Sequence, residues 1–305
     1  MTLGSVDGVP ERGPGASPGV SVRNGQQGLL SKLVDVVRNP LGAVGALVFL
    51  FVIAAAILGP LVWKIPYSAQ DFIRLSSPSA VNPMGTDGLG RDVLSRVLHG
   101  AQVSLQIGAL SVSIALVVGL IIGVLAAFYG GVLDLILMRL TDIAFAVPGL
   151  VLAILISGLL GASRTNVMIA IGIVYAPTFA RVIRSATLSI TPLPYVEASR
   201  ALGAGDAWIM TRHIFGNIQG TLIVLCTIYM SGAILTEAAL SFLGLGTQPP
   251  EPSWGSMLRD SMGFMQIAPW LAVFPGSAIM LTVLGLNFLG DSLRDTLDPK
   301  LRNVR

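Results

Sequence analysis

One short segment lies between two long apolar runs and reads Pro194-Tyr195-Val196-Glu197-Ala198-Ser199-Arg200-Ala201-Leu202-Gly203. Pro194 interrupts the preceding helix, and Glu197 is suited to the positive end of a new helix dipole. Gly203 is suited to ending that helix after about two turns, and Asp206 to capping the next one. We therefore predict a short helix near residues 194–204, whose small surface residues would let a groove of another protein approach the backbone closely.

The composition is that of an integral membrane protein. Hydrophobic residues make up 53% of the 305 positions and charged residues 11%, against about 25% charged in a typical soluble domain. The net charge of +3 gives no indication of a nucleic-acid partner. A helix needs about 20 mainly apolar residues to cross the hydrocarbon core. An all-α fold with six transmembrane helices is predicted, at residues 41–63, 103–129, 135–160, 165–190, 214–237 and 267–289.

The distribution of Lys and Arg predicts the orientation, because cytoplasmic loops carry an excess of both. With six spans both termini lie on one side, and the larger share of the 19 Lys and Arg residues falls on that side. We therefore predict that both termini and the 194–204 helix are cytoplasmic. The connections at residues 64–102 and 240–266 are then predicted to face outward.

Four regions are predicted along the chain. Residues 1–28 are rich in Gly, Pro and Ser and are predicted to be a disordered cytoplasmic tail. Residues 29–100 form an amphipathic lead-in, the first transmembrane helix and an outer loop. Residues 101–290 form the transmembrane core with the short helix, and residues 291–305 a cytoplasmic C-terminal tail.

The sequence contains no pattern typical of catalysis, nucleotide binding or metal binding. It has no G-x-x-x-x-G-K-[ST] loop, no H-E-x-x-H helix and one cysteine, Cys226, which suits apolar packing. Its two histidines, His99 and His213, are far apart and fall on opposite predicted faces. We predict a chain that is not an enzyme and binds no cofactor or metal. Any uphill transport would then draw on an ion gradient or on a separate subunit.

The segment Glu197-Ala198-Ser199 followed by Gly203 resembles the cytoplasmic loop motif E-A-A-x-x-x-G of permease subunits in ATP-binding cassette (ABC) importers. In that family the motif lies on a coupling helix that docks into a groove of the ATPase subunit. The family's following Ile-Leu-Pro-Asn reads Ile214-Phe215-Gly216-Asn217 here, and Gly216 can also bend the chain. The resemblance implies a docking surface made of Tyr195, Glu197, Ala198, Ser199, Arg200, Ala201, Leu202 and Gly203.

Three further blocks resemble the dipeptide, oligopeptide and nickel branch of this family, and in particular its second, C-type permease. They are NPMGTDGLGRDVLSR at residues 82–96, LSFLGLGTQPPEPSWG at 240–255 and NFLGDSLRDTLDP at 287–299. The first is predicted to be a turn and a short outer helix, supported by i,i+4 pairs such as Asp87 with Arg91. Trp254 in the second suits the lipid headgroup layer. The alternative is contact with a solute-delivering protein, through Asp87, Arg91, Pro250 and Trp254.

Charged groups inside predicted spans are costly, which makes them candidates for the pathway or its gate. Asp142 lies three residues from Arg139, and the two either neutralise each other or serve the pathway. Pro148 is expected to kink the third span. Glu237 is predicted at the outer interface, where it is either simply hydrated or in contact with an amino group of the substrate. The G-x-x-x-G pattern at residues 119–123 is typical of close helix packing.

The resemblance implies a type I ABC importer permease fold in the bacterial cytoplasmic (inner) membrane, with alternating access in a dimer of permeases. The implied partners are a homologous second permease, two ABC ATPase subunits that bind ATP and Mg²⁺, an extracytoplasmic solute-binding protein and the lipid bilayer. The implied solute is a di- or oligopeptide, with nickel or another small solute as the alternative. An ion-coupled secondary transporter, using Asp142 or Glu237, and a passive channel are the competing classes.

Overall fold

The computed structural model describes residues 36–297. Five of the helices in this range are long and apolar enough to cross a membrane, and a bent pair, α3 and α4, can form a sixth crossing. The predicted all-α membrane fold is confirmed. The helices are α1 (Pro40–Val62), α2 (Val93–Tyr129), α3 (Gly131–Phe145), α4 (Gly149–Leu160), α5 (Arg164–Ile190), α6 (Pro194–Ala201), α7 (Asp206–Phe242), α8 (Trp254–Ser261) and α9 (Trp270–Leu297).

The packing of α2 on α5 depends on glycine. A Cβ atom added at Gly119 would lie 2.4 Å from the Cβ of Phe179, and one added at Gly123 would lie 2.6 Å from the backbone oxygen of Ala180. Because real Cβ atoms do not come this close to other atoms, only glycine permits this approach of the two backbones. The predicted close packing at residues 119–123 is therefore confirmed, as a contact within the chain.

Helices α1 and α9 pack in the same way. A Cβ atom at Gly45 would lie 2.6 Å from the backbone nitrogen of Leu289. Further along, the Ser292 hydroxyl donates a hydrogen bond to the backbone oxygen of Val36 at 3.2 Å. The start of α1 therefore lies against the end of α9.

These contacts give the bundle two ends. At the α6 end, the guanidinium of Arg200 lies 5.2 Å from the ring centre of Phe128, so α6 lies beside the last turn of α2. At the α8 end, the Trp63 indole donates to Asp92 at 2.9 Å and the Trp254 indole donates to the backbone oxygen of Val97 at 3.1 Å. The end of α1, the start of α2 and α8 therefore meet at this second end.

The bent pair connects the two ends. Asp134 near the start of α3 pairs with Arg184 near the end of α5, whereas Arg164, just after α4, lies 3.7 Å from Glu251 in the loop before α8. Since α5 itself runs from the α8 end to the α6 end, the pair runs the opposite way. We count it as a crossing, which brings the number of crossings to the six predicted.

The third crossing differs from its prediction. A continuous span over residues 135–160 is wrong, because the chain breaks between Phe145 and Gly149 and the two helices are bent by 88°. Pro148 stands at the N-cap of α4, where its missing amide donor costs nothing to the new helix. The proline therefore starts a separate helix, where a kink within one helix had been predicted.

Other boundaries also differ. Helix α2 begins at Val93 and is capped by Asp92, which accepts from the Ser95 amide at 2.7 Å, so the predicted separate outer helix is the first part of α2. Helix α9 continues to Leu297, so residues 291–297 of the predicted C-terminal tail are helical. The predicted N-terminal tail (1–28), the first part of the lead-in (29–35) and residues 298–305 lie outside the described residues.

Candidate functional site

Helix α6 presents a small-residue surface at the α6 end of the bundle. It begins at Pro194, whose fixed φ suits the first helical turn, and Glu197 lies in that turn as predicted. Gly203 follows the helix with a φ of 84°, a left-handed conformation that favours glycine. The helix therefore begins and ends close to the predicted positions.

The predicted docking residues are mostly accessible. Val196 is 1% exposed and anchors the helix in the core, whereas Leu202 is 88% exposed. Glu197, Ala198, Arg200, Ala201 and Gly203 are also exposed, as is Tyr195, and Ser199 is half-buried. The exposed surface thus combines one carboxylate, small residues and a single protruding leucine.

His213 joins α6 to α7, a role that sequence reasoning missed. Its Nε2 atom lies 2.9 Å from the Ser199 hydroxyl. Its ring also contacts the rings of Tyr195 and Trp208, at centre distances of 5.3 and 4.9 Å. His213 therefore connects α6 to the first turns of α7.

The start of α7 differs from the prediction in two respects. Asp206 does not cap the helix, because Gly205 occupies the N-cap position and Asp206 is the first helical residue. The expected bend at Gly216 is replaced by π-helical turns over Ile209–Phe215, after which α7 continues to Phe242. The chain therefore enters the membrane as one long helix.

The charged groups of the bent pair are engaged with α5. Asp142 accepts a hydrogen bond from Arg181 at 2.6 Å, while its predicted neighbour Arg139 is 3.7 Å away. Asp134 accepts from Arg184 at 2.6 and 2.5 Å. Arg181 and Arg184 of α5 thus each have a carboxylate partner on α3. The bent pair is thus held to α5 by two ion pairs.

Glu237 does not lie in water, so the predicted hydrated position at the interface is wrong. Its side chain is completely buried, and it accepts hydrogen bonds from Ser104 at 2.9 Å and Ser241 at 2.7 Å. The Ser104 hydroxyl also lies 3.4 Å from the amide of Trp254. A carboxyl group of α7 therefore joins α2 to the start of α8, and in this conformation it is closed to a substrate.

Trp254 is likewise internal, and its predicted place in the headgroup layer is wrong. It is 1% exposed and packs against Gly100 of α2. Pro250 is exposed. Asp87 and Arg91 pair at 2.6 Å as predicted, but both are largely buried. Of the four candidate contacts for a delivering protein, Pro250 is thus the one that lies fully at the surface.

The described residues give no candidate metal centre. Within residues 36–297 no group of three or more His, Cys, Asp or Glu side chains is placed to hold an ion. The two histidines are at opposite ends of the bundle, as predicted, with His99 bonded to the backbone oxygen of Ser95.

Two family models match the chain. One is described as "Binding-protein-dependent transport system inner membrane component" and matches residues 119–303. The other is described as "N-terminal TM domain of oligopeptide transport permease C" and matches residues 35–78. The matched regions include the α6 surface and the whole of α1.

Relatives are similar over most of the chain. A protein named glutathione transport system permease protein GsiD, from Pectobacterium atrosepticum, is 44% identical over 79% of this chain and 81% of its own length. A dipeptide transport system permease protein DppC, from Alkalihalophilus pseudofirmus, is 43% identical over 87% of this chain and 88% of its own. A solved chain of the MetNI methionine ABC transporter, in an inward-facing conformation, matches with a TM-score of 0.54 and 20% identity, over 66% of this chain and 95% of that chain. At 20% identity, this last likeness concerns the fold alone.

Proposed function

The chain belongs to the family of binding-protein-dependent transport system inner membrane components, and we propose that it forms half of the peptide pathway in an ATP-driven importer. Its helical fold is that of an ABC importer permease. The peptide substrate is supported by the names of relatives at 43–44% identity, which refer to dipeptide and glutathione transport. The second half of the pathway would come from a homologous permease.

The observation that carries this proposal is the construction of α6. Its outer surface is free, while its inner residues Val196 and Ser199 connect it to the bundle. An ATPase subunit that binds this surface differently before and after ATP binding would favour one arrangement of the membrane helices, as alternating access requires. ATP and Mg²⁺ would be bound by the ATPase subunits, and this chain would carry out no bond chemistry.

The position of the two ends supports the proposed orientation. The described chain starts and finishes at the α6 end, where Val36 meets Ser292. By the positive-inside rule, that end would lie in the cytoplasm and the α8 end outside. A solute-binding protein would then approach the α8 end and two ATPases the α6 end.

The polar contacts speak against the ion-coupled alternative. Such a transporter would need a carboxyl group that exchanges its ion with water. Asp142 is paired with Arg181, and Glu237 is enclosed by serines and has no cation within salt-bridge distance among the described residues. Neither carboxyl group is arranged as an ion carrier in this conformation.

The chain is purified together with its bound partners, and the resulting complex is reconstituted in vesicles. The test is the uptake of a labelled dipeptide by this complex. We expect uptake that requires ATP and is abolished by Glu197→Lys, with loss of ATPase co-purification and normal amounts of the chain in the membrane. Asp291→Lys reverses an exposed carboxylate that belongs to α9 and not to α6, and should leave uptake intact. Uptake driven by an ion gradient without ATP, or full activity of the Glu197→Lys variant, would refute the proposal.

A further inference from the structure

A cavity opens at the α8 end, apart from the α6 surface and from the helices of the bent pair. Its volume is about 380 Å³, and its apolar lining includes Val93, Met257, Phe264 and Leu271. Its charged lining consists of Asp87, Arg91, Arg96 and Asp260. We call this cavity the outer pocket. Its lining comes from α2, α8 and α9, from the loops that precede α2 and α8, and from the connection between α8 and α9, whereas α3, α4 and α5 contribute nothing.

The two arginines of the outer pocket carry more hydrogen-bond donors than there are acceptor atoms close to them. A guanidinium carries five N–H groups. Arg91 donates from Nε to Asp87 at 2.6 Å, and its Nη2 atom is 3.9 Å from Asp260, too far for a hydrogen bond. Arg96 has two contacts at the limit of bonding distance, 3.5 Å to the backbone oxygen of Tyr67 and 3.6 Å to Asp87.

The carboxylates do not meet this demand. Both oxygens of Asp87 are already used, one by the amides of Leu89 and Arg91 and the other by the Arg91 side chain. Asp260 stands at the rim with its side chain 44% exposed. The interior of the pocket therefore contains two guanidinium groups and one carboxylate, which bonds closely to the side chain of Arg91 and not to that of Arg96. Because buried charges are costly unless they are closely paired, Arg96, whose contacts are 3.5 and 3.6 Å long, suits one further anion.

We infer that the outer pocket receives a carboxylate side chain and an adjoining apolar side chain of the protein that delivers the solute, with Arg96 as the principal contact for the carboxylate. The inference rests on the proposed function, because it needs a delivering protein at the α8 end. Guanidinium and carboxylate form charge-assisted, often bidentate hydrogen bonds, and the apolar lining takes the neighbouring side chain. The pocket gives the complex a fixed point of attachment away from the bent pair.

The solute-binding protein is first identified by its co-purification with the complex. The experiment then measures the affinity of that protein for the complex in lipid nanodiscs. We expect Arg96→Gln to weaken this binding about tenfold or more, and Leu89→Trp, at the pocket rim, to weaken it by filling the opening. Asp260→Asn should strengthen binding several-fold, because it removes a competing carboxylate. A role confined to folding would not produce that gain. Arg74→Gln changes an exposed cation outside the pocket and serves as the matched control with unchanged binding.

Two outcomes would overturn the inference. One is wild-type binding by both Leu89→Trp and Asp260→Asn, which remains decisive even if Arg96→Gln fails to fold. The other concerns competition by free dipeptide. If excess dipeptide displaces the bound protein from the wild-type complex but not from the Leu89→Trp complex, the pocket is a solute site. Failure of the proposed function is distinguishable, because then no ATP-dependent uptake and no binding protein would be found with the wild-type complex.

Discussion

Replacing Glu237 by Leu tests whether the buried carboxyl group holds α2, α7 and α8 together. The change keeps the side chain close to its original size but removes the acceptors of two hydrogen bonds, at 2.9 Å from Ser104 and 2.7 Å from Ser241. Each buried polar group that loses its partner costs about 1–3 kcal/mol. Serine hydroxyls on helices can turn to a carbonyl of their own helix, which lowers the cost.

We therefore expect Glu237→Leu to destabilise the fold by about 2 kcal/mol, roughly a 30-fold change in the folding equilibrium. Glu237→Gln keeps an acceptor and adds donors that the serine oxygens can accept, so its cost should be below about 1 kcal/mol. Ser113→Ala is the matched control, because that hydroxyl contacts only the backbone of its own helix among the described residues. It should be neutral.

The assay is thermal unfolding of the purified chain in detergent. Unfolding is monitored by the reaction of a thiol dye with Cys226, a partly buried residue of α7. A double-mutant cycle with Ser104→Ala isolates the contact between the two helices, and we expect a coupling of about 1 kcal/mol. If the two single losses simply add, or if Glu237→Gln is as damaging as Glu237→Leu, the hydrogen-bonded link is not what stabilises this region.

Three further predictions concern packing, the bent pair and orientation. Gly119→Leu should reduce the free energy of unfolding by about 1–3 kcal/mol or more, because α2 and α5 must separate. Gly158→Ala is the control, because an added Cβ meets nothing within 4 Å there, and it should be neutral in the same unfolding assay. Asp134→Asn should destabilise by up to about 1 kcal/mol, since the pair is partly exposed, and exchanging Asp134 and Arg184 should restore part of that loss; no recovery in the unfolding assay would argue against the pair. The third prediction uses a chain in which Cys226→Ala has removed the native thiol. Single cysteines introduced by Ala201→Cys or by Glu251→Cys should then react with impermeant thiol reagents from opposite sides of intact vesicles. Reaction from the same side would exclude the six-crossing arrangement.

The number of crossings and the position of α6 could be predicted from sequence because both depend on local properties. Apolar length sets a transmembrane helix, and a proline followed by a glycine sets a short helix. The small residues at 119–123 likewise predicted a close approach of helices. Each of these signals lies within a single stretch of chain.

The environment of individual polar residues could not be predicted in this way. Glu237 and Trp254 were placed at a membrane surface because each ends or follows a long apolar run. Their burial depends on Ser104 and Val97, which are distant in the sequence and come close through the folding of α2 against α7 and α8. The partners of Arg181 and Arg184 could not be predicted for the same reason, since Asp142 and Asp134 reach them only once α3 lies beside α5.

The break at Pro148 shows a limit of another kind. A proline in an apolar run predicts a disturbance of the helix but not its angle. The 88° turn depends on how α4 rests against α5, where Gly149 meets Val174. Tertiary contacts decide between a mild kink and a new helix.

The glycine contact between α2 and α5 has a mechanical consequence. The backbones of these two helices touch at Gly119 and Gly123, and we expect them to move as a single body. A change of shape during a transport cycle then has to be absorbed where the joints are polar and partly wet, at the ion pairs Asp134–Arg184 and Asp142–Arg181. We therefore expect the bent pair, rather than α2 and α5, to change position during such a cycle.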